Sequence, residues 1–366
     1  MSKAAELAKW GEVSTNGQVS GRRNMIINGA MNVAQRATSA TGVGASNAYF
    51  TVDRMYMLAS TAGRLTMTQT ADGPSGFANC IKLDCTTADT SIGAGEYFVL
   101  GYHMEGQDLQ QLKKGTSDAE TVTVSFYVKG NASATYTCEF RDVENTRNIS
   151  QEFSVTTSWN RISLTFDGDT VGALSDDTTG RMYLYFWLHA GSTYAGGTHT
   201  SNAWHTTTAN RVSDSQTSIV DSTDREFFIT GLQMEVGSVA TPFEHRSFGE
   251  ELALCQRYYY RINPTDTYQR YGHTMMINAT LSETILTVPV TMRSEPTFEN
   301  SGTVSNYAIY IEGQVKAISA DFAINAASGN DRFMIRATIA SSNQGHTGVF
   351  LPNGTLLGFI AFSAEL

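Results

Sequence analysis

Along most of this chain the apolar positions recur at every second residue. The clearest run is Phe228, Thr230, Leu232, Met234 and Val236, which has the alternation of a half-buried strand. Pro242 then breaks the pattern, since it has no N–H for a ladder and restrains Thr241 before it. From Ser247 the period changes. Phe248, Leu252 and Cys255 fall at helical spacing, Glu250 and Glu251 occupy the first turn, and Arg257 lies near the end. This predicts a capped, dipole-matched helix of about three turns. The stretch is a joint between a larger β-rich body and a smaller one.

Residues 24–248 read as a strand series, with candidates at 24–33, 49–58, 64–69, 79–84, 97–105, 121–129, 135–141, 149–155, 159–166, 181–189 and 226–236. Turn chemistry punctuates them at Asn28-Gly29, Asp72-Gly73-Pro74, Lys129-Gly130-Asn131 and Asp167-Gly168-Asp169. One helical turn is expected over 107–114, where Leu109 and Leu112 lie three apart. So many short strands without βαβ alternation predict an antiparallel jelly-roll β-sandwich. Residues 191–222 show little period and read as a long surface excursion. Beyond the joint, strands are expected at 268–279, 283–290, 297–301, 309–311, 315–324, 333–340 and 355–366, forming a smaller C-terminal β-sandwich. Before residue 24, Leu7 and Trp10 mark a short N-terminal helix, followed by a polar linker over 13–23. The expected division is 1–23, 24–248 and 249–366. The fold class is all-β.

Composition sharpens this. Charged residues make up only 16% of the 366, against about a quarter in typical domains. A formal net charge of −10 argues against nucleic acid and anionic membranes, which need clustered Lys and Arg. There is no apolar run long enough for a membrane-spanning helix, and the N-terminus has no signal-peptide core, so folding in a cytoplasm is expected. The four cysteines, Cys80, Cys85, Cys138 and Cys255, lack metal spacing and are expected to be reduced thiols packed as small hydrophobes.

No catalytic motif and no cofactor fingerprint is present, so no catalytic residue is assigned and no enzyme is expected. Glu96, Glu105 and Asp108, or Asp176-Asp177, are carboxylates of the kind a glycan-cleaving site uses, but acids at strand ends are ordinarily solvated. Asp167 and Asp169 could offer oxygens to Ca²⁺; their spacing is not an EF-hand loop, and a plain acidic turn is the simpler reading. Sugar binding needs aromatic faces and short polar side chains, and the excursion supplies both in Tyr194, His199, Asn202, Trp204 and His205. The alternative the residues leave open is that Trp204 tucks back against its own sheet or a neighbouring subunit. Trp159 and Trp187 sit in alternating strands and are expected in the core. Tyr258, Tyr259, Tyr260, Tyr268 and Tyr271 are expected to pack an interface.

Two blocks carry a resemblance. Gly231-Leu232-Gln233-Met234-Glu235-Val236, running on through Thr241-Pro242-Phe243-Glu244-His245-Arg246 to Cys255-Gln256-Arg257-Tyr258-Tyr259, resembles a segment shared by tail fibres and other host-facing virion proteins of tailed bacteriophages. Asn24-Met25-Ile26-Ile27-Asn28-Gly29, continuing to Arg36, with Thr51-Val52-Asp53-Arg54, is similar to the opening segment of the same proteins. The resemblance implies a jelly-roll, carbohydrate-binding-module-like body and a homotrimer. It also implies adhesion to bacterial surface polysaccharide and a place in the virion after assembly in the host cytoplasm. Another virion protein would hold the N-terminus through Leu7 and Trp10. The linker before Asn24 is short for a long fibre leg, so a capsid or tail decoration protein without glycan affinity stays open, as does a glycan depolymerase.

Overall fold

In the computed structural model, residues 22–325 and 328–366 are described, together with residue 3. The expected N-terminal helix, with Leu7 and Trp10, lies outside the described residues. The chain divides into two compact units, residues 1–251 with Leu366 and residues 252–365.

The first unit contains β1 (Ser39–Val43), β2 (Ala48–Tyr49), β3 (Tyr56–Ser60), β4 (Arg64–Thr70), β5 (Cys80–Thr87) and β6 (Tyr97–Glu105). It continues with β7 (Val122–Gly130), β8 (Ala134–Asp142), β9 (Arg147–Val155), β10 (Asn160–Phe166), β11 (Gly180–Ala190) and β12 (Glu226–Val236). The strands form two six-stranded antiparallel sheets, ordered β1-β4-β5-β12-β7-β10 and β2-β3-β6-β11-β8-β9. From β5 to β12 the chain changes sheet at every connection except the β8-β9 hairpin, the winding of a jelly roll, and β1 to β4 extend one edge of each sheet. Even positions of β11 (Met182, Leu184, Phe186, Leu188) face the partner sheet and join the main core. There Phe186 meets Phe126 edge-on at 5.0 Å, and Phe140 meets Phe166 at 4.8 Å. All four cysteines are buried, and Cys80, Cys85 and Cys138 are free thiols. The short helical segment is a 3₁₀ helix at Gly106–Leu112.

The strand expected over 24–33 does not form. Asn28 adopts a left-handed φ of 61°, and its amide bonds Val33 O at 2.8 Å and Asp53 O at 3.0 Å. Asn24 reaches across to β12, accepting from Met234 N at 3.1 Å and donating to Leu232 O at 3.2 Å. Arg246 Nη1 caps Ile26 O at 2.9 Å, and Asn28 N donates to Glu251 Oε1 at 2.5 Å. Side chains here take the place of ladder partners. The two blocks, some 200 residues apart in sequence, form one clasp (Asn24 to Leu232 spans 208 positions).

The helix at the joint is observed at Phe248–Gln256, with Ser247 Oγ accepting from Glu250 N at 3.3 Å as its cap. Phe248 itself is exposed.

The second unit comprises β13 (Tyr259–Ile262), β14 (Gly272–Met276), β15 (Leu281–Thr287), β16 (Thr297–Asn300), β17 (Tyr307–Ile311), β18 (Gln314–Ile324), β19 (Arg332–Ile339), β20 (Thr347–Pro352) and β21 (Ile360–Ser363). It too is antiparallel β, but β14-β15-β19-β18-β17-β20 closes into a barrel, with β13-β21-β16 as a separate three-stranded sheet. The expectation of a sandwich missed β20, whose Gly348 and Pro352 disguise it as loop. Gly348 is needed because a Cβ there would stand 2.6 Å from Tyr310 O across the ladder. Strand β20 pairs with both β14 and β17, and that double pairing removes the free edges. Of the tyrosines expected at an interface, Tyr258 and Tyr259 are buried and Tyr268 is exposed.

Candidate functional site

The outer face of the second sheet is built from odd positions of β6 and β11. Register places Tyr56, Gly101, Tyr185 and Glu139 in one row across β3-β6-β11-β8. The next rows are Leu58-Val99-Trp187-Thr137 and, on the other side, His103-Tyr183-Arg141. Aromatic side chains therefore stack along β11 on the side away from the main core. Trp187 is buried as expected, at 2% exposure, in a second core cluster on this outer face with Val99, Tyr185 and Val212. Its burial comes from the excursion, which folds over it.

The excursion is held down by charge. Arg211 donates from Nε to Glu139 Oε1 at 2.7 Å and from Nη2 to Oε2 at 2.8 Å, and Trp187 Nε1 donates to the same Oε2 at 2.8 Å. The Arg211 guanidinium also lies over the rings of Trp187 (4.7 Å) and Tyr194 (5.7 Å). Tyr194, from the turn Ser192–Ala195, packs 5.1 Å from Trp187 and meets Tyr97 edge-on at 5.6 Å.

What remains uncovered is a depression of about 270 Å³, near the lower end of ligand-site volumes. Its lining includes Tyr97, Tyr183, Tyr185, Trp187 and Tyr194, with Leu58 at one margin and Arg141 at another. Tyr97, Tyr183, Tyr194 and Arg141 are half-buried, so each presents an edge or face to solvent. Burial raises the phenols of Tyr183 and Tyr185, opposed in both by the nearby Arg141 guanidinium, so both stay neutral O–H donors. The Arg141 guanidinium makes no hydrogen bond or ion pair among the described residues. Stacking surfaces, hydroxyl donors and one uncommitted cation thus converge on one concave face.

Of the five residues singled out for sugar binding, Tyr194 lines this depression. The other four turn toward β8 and β9. His199 Nε2 pairs with Ser150 Oγ at 3.1 Å, and His205 forms a backbone bridge with Asn148. Asn202, in the left-handed region at φ 58°, accepts from Asp167 N at 3.2 Å. Trp204 donates to Asp167 O at 2.8 Å and closes a gap of about 20 Å³ bounded by Leu112, Phe140, Phe166 and Met182. Lys114 and Arg147 flank its ring at 5.4 and 5.9 Å.

Those two cations also occupy the proposed calcium turn. Asp169 bonds Arg147 Nε at 2.6 Å and Lys114 Nζ at 3.0 Å, so its oxygens are committed. No group of three or more potential metal ligands occurs among the described residues. Trp159 is half-buried and not core; it lies against Phe228 at 6.3 Å, with Lys129 Nζ 5.3 Å from its ring.

Residue spacing missed Tyr97, Tyr183, Tyr185 and Arg141. A signal was present: β11 alternates plain hydrocarbon residues on one face with Tyr183, Tyr185 and Trp187 on the other. Rings with polar handles mark a face that is covered or binds.

No family model and no curated protein matches the chain. Among solved structures it is similar to the family 11 carbohydrate-binding module of the cellulosomal cellulase Lic26A-Cel5E of Clostridium thermocellum, at 9% identity and a TM-score of 0.28, covering 56% of this chain and 98% of that one. It is similar at 11% identity and a TM-score of 0.30 to a CBM4 structure, covering 57% and 98%. The enzymatically active domain of bacteriophage CBA120 tailspike protein 4 is similar at 15% identity and a TM-score of 0.30, covering 58% of this chain and 21% of that one. At such identities and scores no function passes from them to this chain.

Proposed function

We propose that this chain is a non-catalytic, glycan-binding protein of a tailed-bacteriophage particle, a homotrimeric fibre or spike protein that adheres to polysaccharide on the bacterial surface. The observation that carries the binding activity is the aromatic depression on the outer face of β6 and β11. A sugar ring has one apolar C–H face and a polar rim; dispersion holds the first against Tyr97, Tyr183 or Tyr194, while phenolic O–H groups and a guanidinium serve the second. Glu139, the carboxylate beneath this surface, has both oxygens engaged by Arg211 and Trp187, an arrangement suited to holding the platform and not to proton transfer. The particle, the trimer and the virion location rest on the two sequence blocks. A site this shallow binds weakly alone, and three copies on one particle would supply strength by avidity.

The test is titration of the full chain against polysaccharide extracted from bacterial surfaces. Tyr97→Ala with Tyr194→Ala should abolish binding while leaving the far-UV spectrum unchanged. Binding that survives the double substitution would remove the site from this face. Sedimentation of the protein should give three copies, and incubation with the polysaccharide should release no new reducing ends.

A further inference from the structure

We infer that the saccharide held in this depression is acidic, carrying a carboxylate that pairs with Arg141; the inference rests on the platform being the binding site. Two guanidinium groups line the depression, and they differ in one respect. Arg211 is neutralised by Glu139 through two hydrogen bonds and is buried, at 4% exposure. Arg141 projects from the adjacent odd position of β8, two residues along the same face, and no described residue pairs with it. The other charged side chain near this edge, Arg181, is spent on Asp177 and on Glu144, the latter at 3.5 Å. The lining therefore has a surplus of one positive charge, on a chain whose formal charge is −10.

A half-buried arginine held among Val143, Tyr183 and Tyr185 is an unfavourable place to leave a cation unpaired. Its cost is offset when an anion arrives. A guanidinium presents parallel N–H donors in a plane, matching the two coplanar oxygens of a carboxylate. A phosphomonoester, carrying close to two charges, calls for more than one cation, and only one lines the depression unpaired. The rings beside Arg141 would take the C–H face of the same sugar residue, so the ligand class is a uronic-acid type glycan in which carboxylate and pyranose ring are bound together.

The experiment uses the full chain and two probes, oligogalacturonate and the same oligosaccharide with its carboxyl groups reduced to alcohols, in calorimetric titrations at low and high salt. The acidic probe should bind about tenfold more tightly than the reduced one, and the advantage should shrink as salt rises. Arg141→Gln should erase the difference while retaining the residual affinity for the reduced probe, and Arg141→Lys should restore only part of it. Equal affinity for both probes, unchanged by Arg141→Gln, would overturn the acidic-glycan inference and leave the platform intact. If neither probe binds, nor any neutral saccharide, the platform itself falls, and the inference with it.

Discussion

Arg211 and Glu139, 72 positions apart, form a two-pronged ion pair buried beneath the excursion, and the indole of Trp187 completes the carboxylate's bonding. This pair fixes the roof of the depression to its floor. Removing one partner leaves the other charge buried and unmatched. Arg211→Ala should therefore destabilise the first unit by about 3–5 kcal/mol. Replacing both partners, Glu139→Leu with Arg211→Met, should recover much of that loss. Urea denaturation of the two variants checks it: a double variant no more stable than the single one would mean that the pair does not act as a unit.

The two exposed-loop aromatics should behave oppositely. Trp204 closes a gap at the end of the main core and donates to Asp167 O, so Trp204→Ala should cost about 2 kcal/mol of stability with glycan affinity preserved in the surviving folded protein. Tyr194→Ala should instead weaken glycan binding tenfold or more with a smaller loss of stability. Paired melting and titration curves decide; an undisturbed melt for Trp204→Ala together with lost binding would reverse the two roles.

Gly101 sits at the middle of the row beneath Tyr185. A Cβ there would lie 3.0 Å from Tyr185 Cε1 and 3.3 Å from Leu58 Cδ1, so even alanine makes these side chains give by a few tenths of an ångström and a larger residue moves them further. Gly101→Val suits a strand by propensity, yet it should fill the depression and eliminate binding. The check is saccharide titration beside a circular dichroism spectrum that stays native.

Acid should loosen this face before it unfolds the rest. Burial pushes His103 down to about 4, with Arg54 acting in the same direction and the Leu366 carbonyl opposing. Burial likewise lowers His189, His199 and His205. In each case the folded state favours the neutral imidazole, so the unfolded chain binds more protons below about pH 6.5. Stability is then full above that pH and falls as pH drops toward 4; lowered carboxylates add to the loss from the foot of that window downward, Glu144 from about 4.5 and Asp89 from about 3.8. Denaturation curves between pH 7.5 and 4 should show the decline, and His103→Gln should flatten it. A flat profile across that interval would contradict the assignment.

The β class, the jelly-roll winding and most strands were legible because alternation records which face of each strand is buried. Residues 24–33 misled because Asn24 and Asn28 satisfy the backbone through side chains, something alternation does not register. Strand β20 was hidden by Gly348, which packing demands and propensity disfavours. The site was half legible. Tyr194 stood out on a polar loop, but Tyr97, Tyr183 and Tyr185 fall inside strands, where alternation does not say whether the second face is covered or open. That Arg211 neutralises Glu139 while Arg141 goes unpaired depends on where the excursion lands, and no local spacing encodes that.

The clasp between Asn24 and the segment from Leu232 to Glu251 has a mechanical consequence. The polypeptide enters and leaves the first unit at a shared knot of hydrogen bonds, where Arg246 holds Ile26 O and Glu251 holds Asn28 N. A pull applied between the two flanking segments is met by that knot, whose bonds from Asn24 to Leu232 and Met234 hand the load to β12 of the first sheet and not to the strands of the second. A tethered domain wired in this way can be tugged by its surroundings while its outer face keeps its shape.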